Sequence, residues 1–101
     1  KSKVGAKIFL DQIPLYSGVE NLIAKDIRSS IFENNYMYSQ RMIIKTTANP
    51  DILFDPQTSG PILATIPEAK VNGAIGAGKE LGFECRVIGE VTNGKPHIEV
   101  L

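Results

Sequence analysis

Apolar residues recur along this chain at two different periods, and the periods divide it into elements. "VGAKIFL" places Val4, Ala6, Ile8 and Leu10 two residues apart. That alternation predicts a half-buried strand ending at Asp11, Gln12 and Pro14. "YSGVENLIAKDIRSSIFENNYMYSQRMI" reads as helical, with Val19, Leu22, Ile23 and Ile27 at helical spacing. Ser17 with Glu20 three residues on predicts a capped start. Ser29 and Ser30 divide the stretch, with Ser29 capping a second helix that carries Ile31, Phe32, Tyr36 and Met37 inward. "TTANPD" predicts a loop. "PILATI" is a nearly unbroken apolar run closed by Pro67, as expected of a strand buried on both faces. "PEAKVNGAIGAGKELG" predicts a helix from Pro67 or Glu68, with Gly82 at its C-cap and Val71, Ile75, Gly78 and Leu81 on one face. "FECRVIGEV" and "KPHIEVL" predict two strands, and Asn93-Gly94 between them is a strong hairpin signal. The order is β-α-α-β-α-β-β, so the expected fold class is α+β, a mixed β-sheet with helices packed on it.

The chain has 101 residues and 43% hydrophobic content, which suits one domain spanning 1–101 with one core. Lys+Arg 11 balances Asp+Glu 11. With no basic block, the expectation is no nucleic-acid partner, since phosphate contacts need a concentrated positive face. No apolar run approaches the roughly 18 residues that span a bilayer, so no membrane partner is expected. The N-terminal apolar region is too short for a signal peptide. A start without Met leads to the expectation of a cut or processed piece. The single cysteine, Cys85, excludes an internal disulfide framework and suggests a reducing, cytoplasmic setting.

Several constellations imitate chemistry. "GAIGAGKE", residues 73–80, contains G-x-x-x-x-G-K, but a phosphate loop needs Ser or Thr next, where this chain has Glu80. Its glycines also fall inside a predicted helix, where they let the helix lie close on a sheet. His97 alternates with Ile98 and Val100 and is expected to face solvent. No second histidine exists to share a metal, and Cys85 reads as a strand residue behaving as a small hydrophobe. Asp11, Asp51 and Asp55 are a minimal offer to a divalent cation, and ordinary turn chemistry accounts for Asp11 and Asp51. Tyr36, Tyr38 and Arg41 lack the basic surroundings of a base-stacking surface. A helix face for core or interface packing explains the tyrosines better. No catalytic and no metal-binding residue is assigned.

One stretch admits two readings. In "DILFDPQTSGPIL", Asp55 and Pro56 can build a turn in which Gly60 takes a positive φ. Alternatively Gln57, Thr58, Ser59 and Gly60 can gather hydroxyls, an amide and backbone N–H groups around an anion, and with Asp55 they form the candidate cofactor-binding loop. Here "LFDPQTSG", followed by an apolar run, a helix and "VIGEV", resembles the C-terminal domain of selenophosphate synthetase (selenide, water dikinase), within the aminoimidazole ribonucleotide synthetase superfamily. "VGAKIFLDQIPLYSGVENL" and "IRSS" resemble that domain in the same order, so the resemblance covers nearly the whole chain.

The resemblance implies a fold like the C-terminal domains of that superfamily. It implies a parent enzyme that makes selenophosphate, AMP and phosphate from selenide, ATP and water with magnesium. Residues 55–60 would then form a rim of the substrate cleft. The family's catalytic Cys or selenocysteine, its lysine and its metal-binding aspartates lie upstream, the last partly in a "TDVTGFG" motif. Neither Cys85 nor Lys79 matches them, so no ATP or magnesium is expected on this piece alone. The implied partner is an N-terminal catalytic domain of the same chain, and a homodimer is compatible. The family reads "DPQTSGG" where this chain has Pro61, which removes an N–H and biases Gly60 toward extended conformations. The alternatives are a non-catalytic interaction module derived from this fold, or a sister ATP-dependent enzyme of the superfamily.

Overall fold

The computed structural model describes residues 3–46, 49–56 and 59–101. It is an α+β fold built on an open four-stranded mixed sheet flanked by helices. In chain order the elements are β1 (Val4–Ile8), α1 (Val19–Ala24), α2 (Phe32–Ser39), β2 (Ile43–Thr46), α3 (Val71–Glu80), β3 (Gly89–Asn93) and β4 (Ile98–Val100). Short 3₁₀ turns occupy Leu10–Gln12, Asp51–Phe54 and Glu68–Lys70. The spatial order is β2-β4-β1-β3, with β1 antiparallel to β3 and parallel to β4, and β2 parallel to β4. The C-terminal strand therefore lies inside the sheet, where Val100 is fully buried.

The succession of strands and helices is as the periodicity predicts, but the second strand is not. Residues 43–46 form β2, where the helical reading was expected to end at Ile43 and a loop to follow from Thr46. The expected strand at 61–66 is absent: Ile62 is 95% and Leu63 76% exposed. Pro61 and Pro67 bracket that run, and neither can donate to a sheet ladder. The expected strand over "FECRVIGEV" is shorter. Only residues from Gly89 onward pair, because β1 offers just five partners, Val4 to Ile8. Phe9 N–H adds one bond to the Ile88 carbonyl at 2.8 Å. Cys85 accordingly lies outside the strand and is exposed.

The Asn93-Gly94 signal marks a turn, but β3 and β4 do not pair as a hairpin. β1 lies between them. Adjacent strands sit about 4.8 Å apart, so a link that skips one strand must cover about twice that distance, beyond a two-residue turn. Residues 94–97 make that arch over the start of β1, and the Ala6 N–H donates to the His97 carbonyl at 2.9 Å. Gly5 is buried beneath the arch. A Cβ there would lie 3.0 Å from the Lys95 carbonyl oxygen and 3.1 Å from that of His97. His97 is half-buried, not solvent-facing as its alternation suggested.

The helices end more legibly than they begin. α3 closes at Gly82 as expected, with φ +80. Phe83 N–H bonds the Gly78 carbonyl at 2.8 Å and Gly82 N–H bonds that of Lys79 at 3.1 Å, a Schellman motif. α1 closes the same way, with Asp26 in the left-handed region at φ 58, while Ile27 N–H and Asp26 N–H return to Leu22 and Ile23. At the starts, neither Ser17 nor Ser29 caps through its side chain. The Ser29 carbonyl accepts the Phe32 N–H instead. Of the predicted inward residues, Phe32 is buried, whereas Ile31, Met37 and, least of the three, Tyr36 are exposed. On α3, Val71, Ile75 and Gly78 are half-buried as the face predicts, but Leu81 is 73% exposed.

One sheet face carries charge. Lys7 stands opposite Glu90 on β3 and Glu99 on β4, and its ammonium bonds Glu90 Oε1 at 2.8 Å. The bond to Glu90, and then the charge of Glu90, raise the Lys7 pKa above the ordinary lysine value. A raised lysine pKa stabilises the fold fully below the unfolded-state value and loses that contribution as pH rises through the folded-state value. Wild type should therefore be more stable than Lys7→Gln up to about pH 10.4, and the gap should close above it in denaturant melts. Gly5→Ala should destabilise by about 1–3 kcal/mol in the same assay, because two backbone oxygens must move.

Candidate functional site

The stretch singled out by its two readings begins where a clasp of side chains ends. Arg28 follows α1 and makes four contacts. Its Nη1 donates to the Ile23 carbonyl at 3.0 Å, neutralising the end of that helix. Its Nη2 lies 2.5 Å from Asp51 Oδ2 and 3.2 Å from Asp26 Oδ1. Its guanidinium carbon sits 5.0 Å from the centroid of the Phe32 ring. A planar fork with several donors suits this task in a way a lysine does not.

Asp51 opens the 3₁₀ turn Asp51–Phe54 and is oriented from its own side as well, because its N–H donates to Asn49 Oδ1 at 3.0 Å. The far end of the turn is held by α2. Asn35 Nδ2 donates to the Phe54 carbonyl at 2.8 Å. The buried Phe54 ring packs edge-on against Tyr36 at 5.3 Å and against Phe32 at 5.8 Å. Phe32 and Tyr36 lie four residues apart on α2 and stack at 6.2 Å. Ser39 closes the same helix, its hydroxyl donating to the Tyr36 carbonyl at 2.7 Å. The turn is thus fixed by an ion pair at its first residue and by an amide plus two rings at its last.

Asp55 leaves this clasp half-buried, with extended backbone at φ −69 and ψ 131. Pro56 is half-buried, and Ser59 and Gly60 are exposed. Gln57 and Thr58 lie outside the described residues. The structure therefore anchors the entrance of the candidate loop and places Ser59 and Gly60 at the surface. Arg28 is not a spare cation for a ligand there, since two carboxylates share it.

Other candidates separate. Asp51 is engaged by Arg28, and Asp11 lies beside Gln12, whose amide donates to it at 3.1 Å. Among the described residues no group of three or more His, Cys, Asp or Glu gathers as a metal site. Residues 73–80 lie within α3, so the G-x-x-x-x-G-K match is a helix segment and not a phosphate loop. Tyr36 belongs to the aromatic cluster while keeping an exposed edge, and Tyr38 is largely exposed. An open cleft of about 380 Å³ is lined by Leu10, Asp11, Tyr16, Ser17 and Glu20 among others, with none of Asp55, Pro56, Ser59 and Gly60 among its described walls. Its two carboxylates make it a poor anion site. Among the described residues no helix is long and apolar enough to cross a membrane.

The pattern of residues did not expose Arg28 or Asn35. One signal was present for Asn35: it sits three residues after Phe32 and one before Tyr36, on the inward side of α2, where a polar side chain must find a partner.

No family model matches the chain. The chain is similar to the selenide, water dikinase of Bordetella bronchiseptica, 32% identical over 102 residues, covering 99% of this chain and 30% of that protein. The selenide, water dikinase of Myxococcus xanthus is 29% identical over 104 residues, with 99% and 30% covered. That of Escherichia coli O157:H7 is 34% identical over 102 residues, with 96% and 29% covered. This chain is a distant relative of the selenide, water dikinases. It spans about 30% of the length of the curated relatives it matches.

The clasp can be measured directly. Arg28→Ala and Asp51→Ala should each lower stability by about 2–3 kcal/mol, since the first strips the partly buried Asp51 carboxylate of its cation and the second leaves Arg28 with only the exposed carboxylate of Asp26. The double variant should lose clearly less than the sum of the two, giving a coupling of about 1 kcal/mol or more in a double-mutant cycle.

Proposed function

We propose that this chain is the C-terminal domain of a selenide, water dikinase, the enzyme class that turns ATP, selenide and water into selenophosphate, AMP and phosphate. The observation that carries the reading is the run of similarity over 99% of this chain, which takes in "LFDPQTSG". In this reading the fold is that of the aminoimidazole ribonucleotide synthetase superfamily's C-terminal domains. Residues Asp55, Gln57, Thr58, Ser59 and Gly60 rim a cleft whose ATP and magnesium are held by an N-terminal domain of the same polypeptide.

Phosphoryl transfer needs metal ligands and a cationic clamp on the phosphates. The described residues gather no metal cluster, and Arg28, which holds the entrance of the loop, is already committed to Asp26 and Asp51. They do not fit a magnesium centre, so no step of the reaction is assigned to them. What the chain offers is a loop whose entrance is held rigid, able to present hydroxyls and backbone N–H groups to an anion.

Pro61 favours a second reading, a non-catalytic module of the same descent. It stands where the resembling family has a second glycine, and it withdraws one N–H from the loop. One experiment separates the two. The full-length protein is given selenide and ATP, and selenophosphate and AMP are followed by phosphorus NMR. Turnover that changes severalfold on Pro61→Gly is expected if the loop rims the cleft. Absence of selenophosphate from the wild type, with Pro61→Gly equally inert, would reject the synthetase reading.

A further inference from the structure

Two holds meet at Phe54, and they act on different parts of it. Its ring is packed by Tyr36 at 5.3 Å and by Phe32 at 5.8 Å. Its carbonyl accepts a hydrogen bond from Asn35 Nδ2 at 2.8 Å. Ring packing fixes where the side chain sits. A hydrogen bond is directional, so the second hold also fixes how the peptide after Phe54 is turned.

That peptide is where the backbone changes character. Asp51–Phe54 is a 3₁₀ turn, and Asp55 is extended at φ −69 and ψ 131. A trans peptide is planar, with its C=O and its N–H on opposite sides. Drawing the Phe54 carbonyl onto α2 therefore turns the Asp55 N–H away from α2. The same plane sets the direction in which the chain leaves the turn. Asn35 is well placed for this task. It stands half-buried on α2, and its own N–H bonds the Ile31 carbonyl at 3.2 Å. Its amide brings a donor without bringing a charge. Asn34 beside it is exposed.

We propose that Asn35 is a positioning residue for the parent enzyme's reaction, acting through Phe54 to set the peptide plane from which Asp55 leads into the rim of the substrate cleft. This rests on the reading of the stretch after Phe54 as that rim. Asn35 touches no substrate, and its donor is the property that counts. Asn35→Ala leaves the Phe54 carbonyl to water. Asn35→Asp keeps the shape but sets a carboxylate oxygen against the carbonyl oxygen, two acceptors facing each other.

The test uses the full-length protein with Asn35→Ala, Asn35→Asp and, as a control, Asn34→Ala. Nuclear spin relaxation of the Asp55 N–H reports how firmly the peptide plane is held. Its order parameter should be near about 0.85 in the wild type and fall toward about 0.6 in Asn35→Ala, and further in Asn35→Asp. Steady-state AMP formation from ATP and selenide supplies the second readout. The KM for ATP should rise by about two- to tenfold in Asn35→Ala, the effect of one neutral hydrogen bond, and by more in Asn35→Asp, with kcat changed less. Asn34→Ala should match the wild type in both. A residue that merely fills space gives the reverse order, because Ala removes volume and Asp does not. That order overturns the proposal. So does an unchanged order parameter, or a loosened Asp55 with wild-type kinetics. A wild type inert toward selenide and ATP rejects the synthetase reading by itself. The order parameters of the same samples then still uphold or overturn the orienting role of Asn35.

Discussion

The fold turns on how one guanidinium is satisfied. Arg28 lies only partly in water, and holding it there requires partners for its donors. It finds the Ile23 carbonyl near the end of α1, two carboxylates and a ring face. Those partners come from three places in the chain, so satisfying one residue brings α1, α2 and the turn at 51–54 together. Removing any partner would leave charge behind in a half-buried site, which costs more than the pair itself contributes. The entrance of the candidate loop therefore inherits its position from an electrostatic requirement some thirty residues upstream in the chain.

The sheet is organised by a different constraint. β4 enters between β1 and β2, which buries Val100 and aligns Lys7 with an acid on either side. Such a surface ion pair adds little stability by itself. Its larger effect is on register, because a one-residue slip of β3 would move Glu90 to the apolar face and Val91 to the charged one. With Phe32, Phe54 and Val100 as the buried hydrophobic side chains, the described residues rely on the ladder and the clasp more than on a large core. A domain of that kind has surface to give to a partner.

Local chemistry was legible where one residue determines the outcome. The end of α3 at Gly82 could be read because few other residues adopt a left-handed conformation without cost. The division between α1 and α2 could be read from the Ser29-Ser30 pair, although Ser29 does not cap α2 through its side chain. The helical placement of residues 73–80 followed from their context. The strand at 61–66 was misplaced because an apolar run between prolines says only that a strand could form. β2 was missed because "MIIKT" continues the helical spacing of the residues before it, and pairing with β4 overrides that local preference. In the candidate site, the loop was legible and its support was not. "DPQTSG" carries recognisable turn formers, whereas Arg28 and Asn35 are ordinary polar residues until the partner segment arrives.

By itself the amino-acid order determined the α+β class, the succession of strands and helices, the capped end of α3 and the distant kinship with the selenide, water dikinases. Periodicity, special backbone conformations and a specific motif are written locally, so they survive without coordinates. The tertiary structure alone decided that β1 separates β3 from β4, that residues 62–66 lie exposed, and that Arg28 with Asn35 fixes the turn before the loop. These depend on which distant segments become neighbours. A strand's partners, a ring's cover and a cation's counter-charges are properties of pairs, and only the folded chain brings the pairs together.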